Sequence, residues 1–170
     1  MASSYEVRAI RFIRQIFSYL DDCRTMDDYF NAVYRFNSDH SRKVRFAHGM
    51  TRIAFITSDY VVKLDYDPKN VKRWGGCEHE VKFYRMACEE GYGYMFAKIK
   101  PYYHRGRVFY IMPRVAGIGR SYNDADAYMT NEENAWCCDH DLYDLHNENY
   151  GWKGKHIVII DYGANEYRYQ

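Results

Sequence analysis

The sequence predicts an α+β fold: a helical preface, a five-stranded antiparallel sheet interrupted by one helix, and a short helix followed by a β-hairpin. Three observations carry this. Apolar residues recur at helical spacing over the first 40 positions, as Val7, Ile10, Ile13, Phe17 and Leu20 do. From Lys43 the pattern changes to short β-branched and aromatic runs separated by turn residues. Near the other end, the apolar run His156 to Ile160 is joined to Tyr150–Trp152 through Lys153-Gly154-Lys155, a hairpin signature.

Taken in order, Ser3 with Glu6 forms a capping-box pattern ahead of the first helix, which runs to Leu20. Thr25 with Asp28 repeats the pattern ahead of Tyr29, Val33, Tyr34 and Phe36, and Asn37-Ser38-Asp39 should stop that second helix. KVRFAHG, RIAFIT and YVVKLDY read as three antiparallel strands, the last two joined at Ser58-Asp59. Asp67-Pro68-Lys69-Asn70 and Gly75-Gly76 mark a loop. EHEVKFYRMACEEG then reads as a helix with Val81, Tyr84 and Cys88 on one face and Gly91 just past its end. MFAKIKPYY and RVFYIMPRV, flanking His104-Arg105-Gly106, extend the sheet to five strands. Gly117 to Asp126 is turn-rich. Thr130 and Glu133 cap a further helix containing Ala135, Trp136, Cys138 and Leu142.

With 47% hydrophobic and 28% charged residues, the 170-residue chain has the composition of a globular protein with one buried domain or two small lobes. No apolar stretch is long enough to span a membrane, and MASSYEVRAI lacks the apolar core of a signal peptide. A net charge of +1 leaves no footprint of a dedicated nucleic-acid binder; Tyr102, Tyr103, His104, Arg105 and Arg107 read as a solvated hairpin rather than a base-stacking platform. Five cysteines, two of them adjacent, fit reduced thiols in a cytoplasmic protein better than a disulfide framework. Cys137, Cys138, His140 and His146 lack the C-x-x-C spacing of a zinc site, so core thiols and a structural histidine are expected. Nineteen tyrosines supply apolar area with a polar tip, useful in a thin core or on a partner surface.

The residues with chemistry fall in a definite order. Lys63 lies inside VVKLDY and Glu80 on the following helix; Asp144 and Asn149 stand in D-L-x-x-x-N; Asp161 opens D-Y-G after an apolar strand. Singly these are ordinary strand, helix and turn residues, but solvated or capping roles do not predict that order. Over about residues 43 to 163 the chain resembles the protein kinase superfamily, in the D-L-H-x-x-N form shared with atypical and small-molecule kinases. The resemblance implies a kinase-like two-lobed fold with a reduced C-lobe. Its parts would be an N-terminal helical extension (1–40), an N-lobe with hinge (41–116) and a truncated C-lobe holding the catalytic loop and D-Y-G (117–170).

By that resemblance the cofactors are ATP and Mg²⁺. Lys63 would contact the α/β-phosphates and pair with Glu80, Asp144 would be the catalytic base, and Asn149 and Asp161 the metal ligands. Gly49 would belong to a reduced phosphate loop, HGMTRIAF, and FYIMPRVAG would be the hinge, with Met112 as gatekeeper and adenine bound through the backbone of Pro113 and Val115. Leu142-Tyr143 precedes Asp144 where His-Arg is usual, and seven residues follow Gly163, so regulation through an activation segment is not expected and the usual peptide platform is missing. Two functions stay open: a minimal phosphotransferase acting on a hydroxyl, more readily of a protein than of a small molecule, and a non-catalytic kinase-like module that binds a protein partner. A reduced lobe also leaves apolar surface for the N-terminal helices or a second copy of the chain, as a homodimer, to cover.

Overall fold

The protein is seen in a computed structural model that describes residues 3–49, 51–66, 76–117, 128–142, 145 and 147–162. The architecture is α+β, with the expected five-stranded antiparallel sheet. Two compact units divide the chain: Met1–Pro68 with Lys100–Arg114, and Lys69–Ile99 with Val115–Gln170.

In the first unit, helix α1 spans Ser4–Leu20, and the Glu6 carboxylate accepts the Ser3 backbone N–H at 2.8 Å. Its buried stripe is Ala9, Phe12, Ile13, Ile16, Phe17 and Leu20; Val7 is 49% exposed, so the stripe is rotated from the one expected. Phe12 explains the rotation, because its ring meets Phe36, Phe55 and Tyr60 at centroid distances of 5.4, 5.9 and 6.0 Å. Helix α2, Met26–His40, is capped by Thr25, whose hydroxyl accepts Asp28 N–H, while the Asp28 carboxylate accepts from Arg24 and Thr25 N–H at 2.9 and 2.7 Å. This helix continues through Asn37-Ser38-Asp39, where a stop was expected. The polar side chains find tertiary partners instead of local turn bonds: the Asn37 amide exchanges two bonds with the Val44 backbone, and Tyr19 donates to Asp39. The end comes at Ser41, in the left-handed region at φ 48.

Strands β1 (Arg45–His48), β2 (Arg52–Ile56), β3 (Tyr60–Asp65), β4 (Lys100–His104) and β5 (Arg107–Pro113) form one antiparallel sheet in the order β1-β2-β3-β5-β4. Alternation puts Ile53, Phe55, Val62, Leu64, Phe109 and Ile111 into one core with the buried residues of α1 and α2. The N-terminal helices therefore have the sheet as their apolar partner. Helix α1 also follows the edge strand β4: Glu6 pairs with Lys100, Arg14 donates to the Tyr102 hydroxyl, and Phe17 meets His104 at 5.0 Å. The β4–β5 hairpin, read as solvated, is thus partly packed. Tyr102 and His104 face α1, Arg105 lies over the Phe17 ring, and Tyr103 is the exposed tyrosine.

Burial pushes the Glu6 carboxyl up, but the Lys100 ammonium and the Ser3 amide outweigh it and hold the group below the usual carboxylate range. A depressed acid stabilises the fold above its unfolded value and loses that contribution as pH falls through its folded value. Wild-type protein should therefore lose melting temperature progressively below about pH 4.5, and Glu6→Gln should flatten that part of the curve while lowering stability at pH 7. Parallel acid limbs for the two proteins, by circular dichroism, would refute the assignment.

The second unit contains α3 (Cys77–Glu89), β6 (Ala116–Gly117), α4 (Asn131–Asp139), β7 (Tyr150–Lys153) and β8 (His156–Ile159), with β6-β7-β8 as a second sheet. Gly91, just past α3, has φ 91 and ends the helix as expected. The buried face of α3 is Cys77, Glu80, Val81, Phe83 and Ala87; Cys88 is exposed, contrary to expectation. Phe83 sets that face by meeting Phe96, Trp136 and Tyr162 at 5.4, 5.7 and 6.1 Å. The same cluster shortens the predicted strand MFAKIKPYY to Lys100–His104. Phe96 is buried in it, and Ala97 N–H donates to Ile159 at 2.8 Å, so this part of the chain follows β8.

Thr130 and Glu133 cap α4 as read, but it ends at Asp139 with Cys137 buried and Cys138 exposed, and Leu142 is buried beyond it. His140 is structural: it stacks on Trp136 at 4.2 Å and its Nε2 lies 3.2 Å from Glu90. Of the turn-rich stretch Gly117 to Asp126 all but Gly117 lies outside the described residues, as do residues 67–75 of the predicted loop. Among the described residues, no helix is long and apolar enough to cross a membrane.

Candidate functional site

The hairpin β7–β8 positions the acidic end of the second unit. Its register pairs Tyr150 with Ile159 and Lys153 with His156, turning at Gly154 with φ 65. One step beyond the last pair, Ile160 N–H donates to the Asn149 carbonyl at 2.7 Å. Asn149 and Asp161 therefore leave the open end of one hairpin from opposite strands. Asn149 is buried and Asp161 half-buried. A short 3₁₀ turn, Asn147–Asn149, delivers the asparagine. Asp144 and His146 lie outside the described residues.

Tyr162, next to Asp161, is 1% exposed and its hydroxyl donates to the Ala97 carbonyl at 2.6 Å. Burial holds this phenol well above its ordinary pKa, and the carboxylates of Glu80 and Asp161 push it further. It is a neutral donor at any physiological pH. Glu80, on α3 of the same unit, is fully buried. Tyr162→Phe should cost about 1–2 kcal/mol by stranding the Ala97 carbonyl, read by urea denaturation; an unchanged midpoint would show the bond to be dispensable.

In the first unit, Lys63 sits mid-strand on β3, opposite Ala54 of β2 and Tyr110 of β5, and is 8% exposed. A lysine this buried is not the solvated edge cation that the residue type ordinarily supplies. Gly49 is exposed at the β1–β2 turn, where its N–H donates to Arg52 at 2.9 Å, and a Cβ there would meet nothing within 4 Å. Pro113 ends β5 opposite Tyr60, and Met112 beside it is buried. Val115 belongs to the second unit, where it packs on Gly151: a Cβ at Gly151 would lie 2.2 Å from Val115 Cγ2 and 3.0 Å from the Ala116 carbonyl. A side chain at Gly151 would displace Val115 and the start of β6.

Two positioning residues escaped the sequence reading. Gly151 had a signal, since a glycine inside a strand marks close backbone approach. Tyr162 had none beyond its place in D-Y-G.

No family model matches the chain, and no curated protein matches it in sequence. One similar solved structure is that of the Legionella pneumophila Lpg2603 kinase bound to IP6, at 14% identity and a TM-score of 0.45 over 77% of this chain. The chain spans about half the length of that kinase, 52% of it.

Among the described residues, no group of three or more His, Cys, Asp or Glu is placed to hold a metal. The candidate donors at the hairpin end would be one amide oxygen, of Asn149, and one carboxylate, of Asp161. That sparse set suits Mg²⁺, which is commonly held by one or two protein oxygens and completed by substrate phosphates and water.

Proposed function

We propose that the chain is a minimal ATP-dependent phosphotransferase that moves the γ-phosphoryl group to a hydroxyl, preferentially on a protein. The observation that supports this reading is the Asn149–Ile160 backbone bond, which closes the hairpin with Asn149 on one strand and Asp161 one residue past Ile160 on the other. In this reading those two side chains hold Mg²⁺, and the ion neutralises charge on the phosphates when nucleotide is bound. Lys63 supplies the cation for the α/β-phosphates and pairs with Glu80. The backbone of Pro113 and Val115 receives adenine, and Gly49 lets the β1–β2 turn approach the phosphates. Asp144 takes the proton from the acceptor hydroxyl. The adjacent cysteines and odd thiol count support a cytoplasmic setting.

Incubation with labelled ATP, Mg²⁺ and candidate proteins, with autophosphorylation as an internal acceptor, tests the reading. Label transfer that needs Mg²⁺ supports it. A rise in melting temperature with ATP and Mg²⁺ but no transfer would replace it with a nucleotide-binding module that engages a protein partner, since a ligand of the folded state raises stability by mass action.

A further inference from the structure

At the end of the first unit's sheet opposite the Gly49 turn lies a cavity of about 430 Å³. Its walls come from three places: Arg8 and Arg11 on α1, Arg42 and Lys43 between α2 and β1, and the β2–β3 turn from Thr57 to Tyr60. Four cations thus line one cleft of a chain whose net charge is only +1. The single carboxylate in the lining, Asp59, is engaged by Arg8 at 2.8 Å. Arg11, Arg42 and Lys43 remain exposed around it. The turn is fixed: the Thr57 hydroxyl donates to the Tyr60 carbonyl at 2.8 Å, and Arg114 donates from its side chain to the Thr57 carbonyl and from its backbone to the Asp59 carbonyl, at 2.8 and 2.9 Å.

We infer that this cleft is a binding site for a compact small molecule carrying several phosphates. The cations converge in a concavity, not along a stripe, and its volume is that of a small-ligand pocket. Arginine predominates, as suits bidentate phosphate contacts. The five residues of β2, about 17 Å of extended chain, separate it from the Gly49 turn, so the site is distinct from the proposed nucleotide phosphates and does not depend on that reading.

The test is calorimetric titration of the full chain with inositol trisphosphate and with inorganic tripolyphosphate, beside vesicles bearing a phosphorylated inositol headgroup and a single-stranded RNA. Micromolar binding of the free phosphates is expected, weakening with salt. The double variant Arg42→Gln with Lys43→Gln, and separately Arg11→Gln, should weaken it at least tenfold, whereas Asp161→Ala should leave it unchanged. These cations are exposed, and unchanged melting curves would confirm that the variants fold. Absence of binding at millimolar phosphate, binding of vesicles or RNA alone, or loss through Asp161→Ala with none through the arginine variants would each overturn the inference.

Discussion

Asp161→Ala should lower Mg²⁺-dependent phosphoryl transfer by about a thousandfold or more, with the fold intact. The expected size follows from what phosphoryl transfer requires, which is positioning and charge neutralisation with little covalent help. In the proposed function Asp161 would be the anionic oxygen donor; it is half-buried and lies two residues past β8, so truncating it should remove metal affinity without opening a core cavity. Asn149→Ala should be milder, about ten- to a hundredfold, because a neutral amide contributes less to a divalent ion. Excess Mg²⁺ should rescue part of the Asn149→Ala defect and almost none of the Asp161→Ala defect. Lys63→Met should fall between them, mainly through weaker nucleotide binding. Single-turnover transfer at saturating ATP, with circular dichroism as the check on folding, separates these effects. Activity unchanged by Asp161→Ala would sink the phosphotransferase mechanism.

A chain beginning at Ser41 should not fold cooperatively. Removing α1 and α2 uncovers Ile53, Phe55, Val62, Leu64, Phe109 and Ile111, all buried in a core shared with those helices. At about 1.5–3 kcal/mol for each large apolar side chain returned to water, the loss is as large as a typical stability of about 5–15 kcal/mol. In the full chain, Phe12→Ala should cost about 3–5 kcal/mol, because three aromatic partners converge on one fully buried ring. Urea denaturation followed by tyrosine and tryptophan fluorescence reads both. A sharp unfolding transition in the shortened chain would show that the helices are an appendage, and would reopen the question of what they cover.

Where one signal decides an outcome, the sequence was legible. Capping patterns located the starts of α1, α2 and α4, and period-two runs located the strands. Orientation about a helix axis was less legible, because it depends on the partner. The stripe of α1 turned toward Phe12 and that of α3 toward Phe83, and in each case an aromatic cluster distant in sequence made the choice. Asn37 misled for the same reason, its amide bonding across to Val44. At the candidate site, the motifs singled out Asn149 and Asp161, and the hairpin register puts Asn149 opposite Ile160, one residue before Asp161. Tyr162 was invisible because its role rests on the Ala97 carbonyl, 65 positions away.

The alignment of α1 along β4 has a consequence for misfolding. Residues 6 to 17 of the helix rise about 17 Å, close to the roughly 13 Å spanned by residues 100 to 104 of the strand. Its contacts fall on Lys100, Tyr102 and His104, which share one face of the pleat. A slip of one residue would present Pro101 and Tyr103 instead and break all three at once. The helix therefore acts as a ruler for β4, holding in register one of the two edge strands of the sheet, where unpaired backbone could otherwise mispair with another chain.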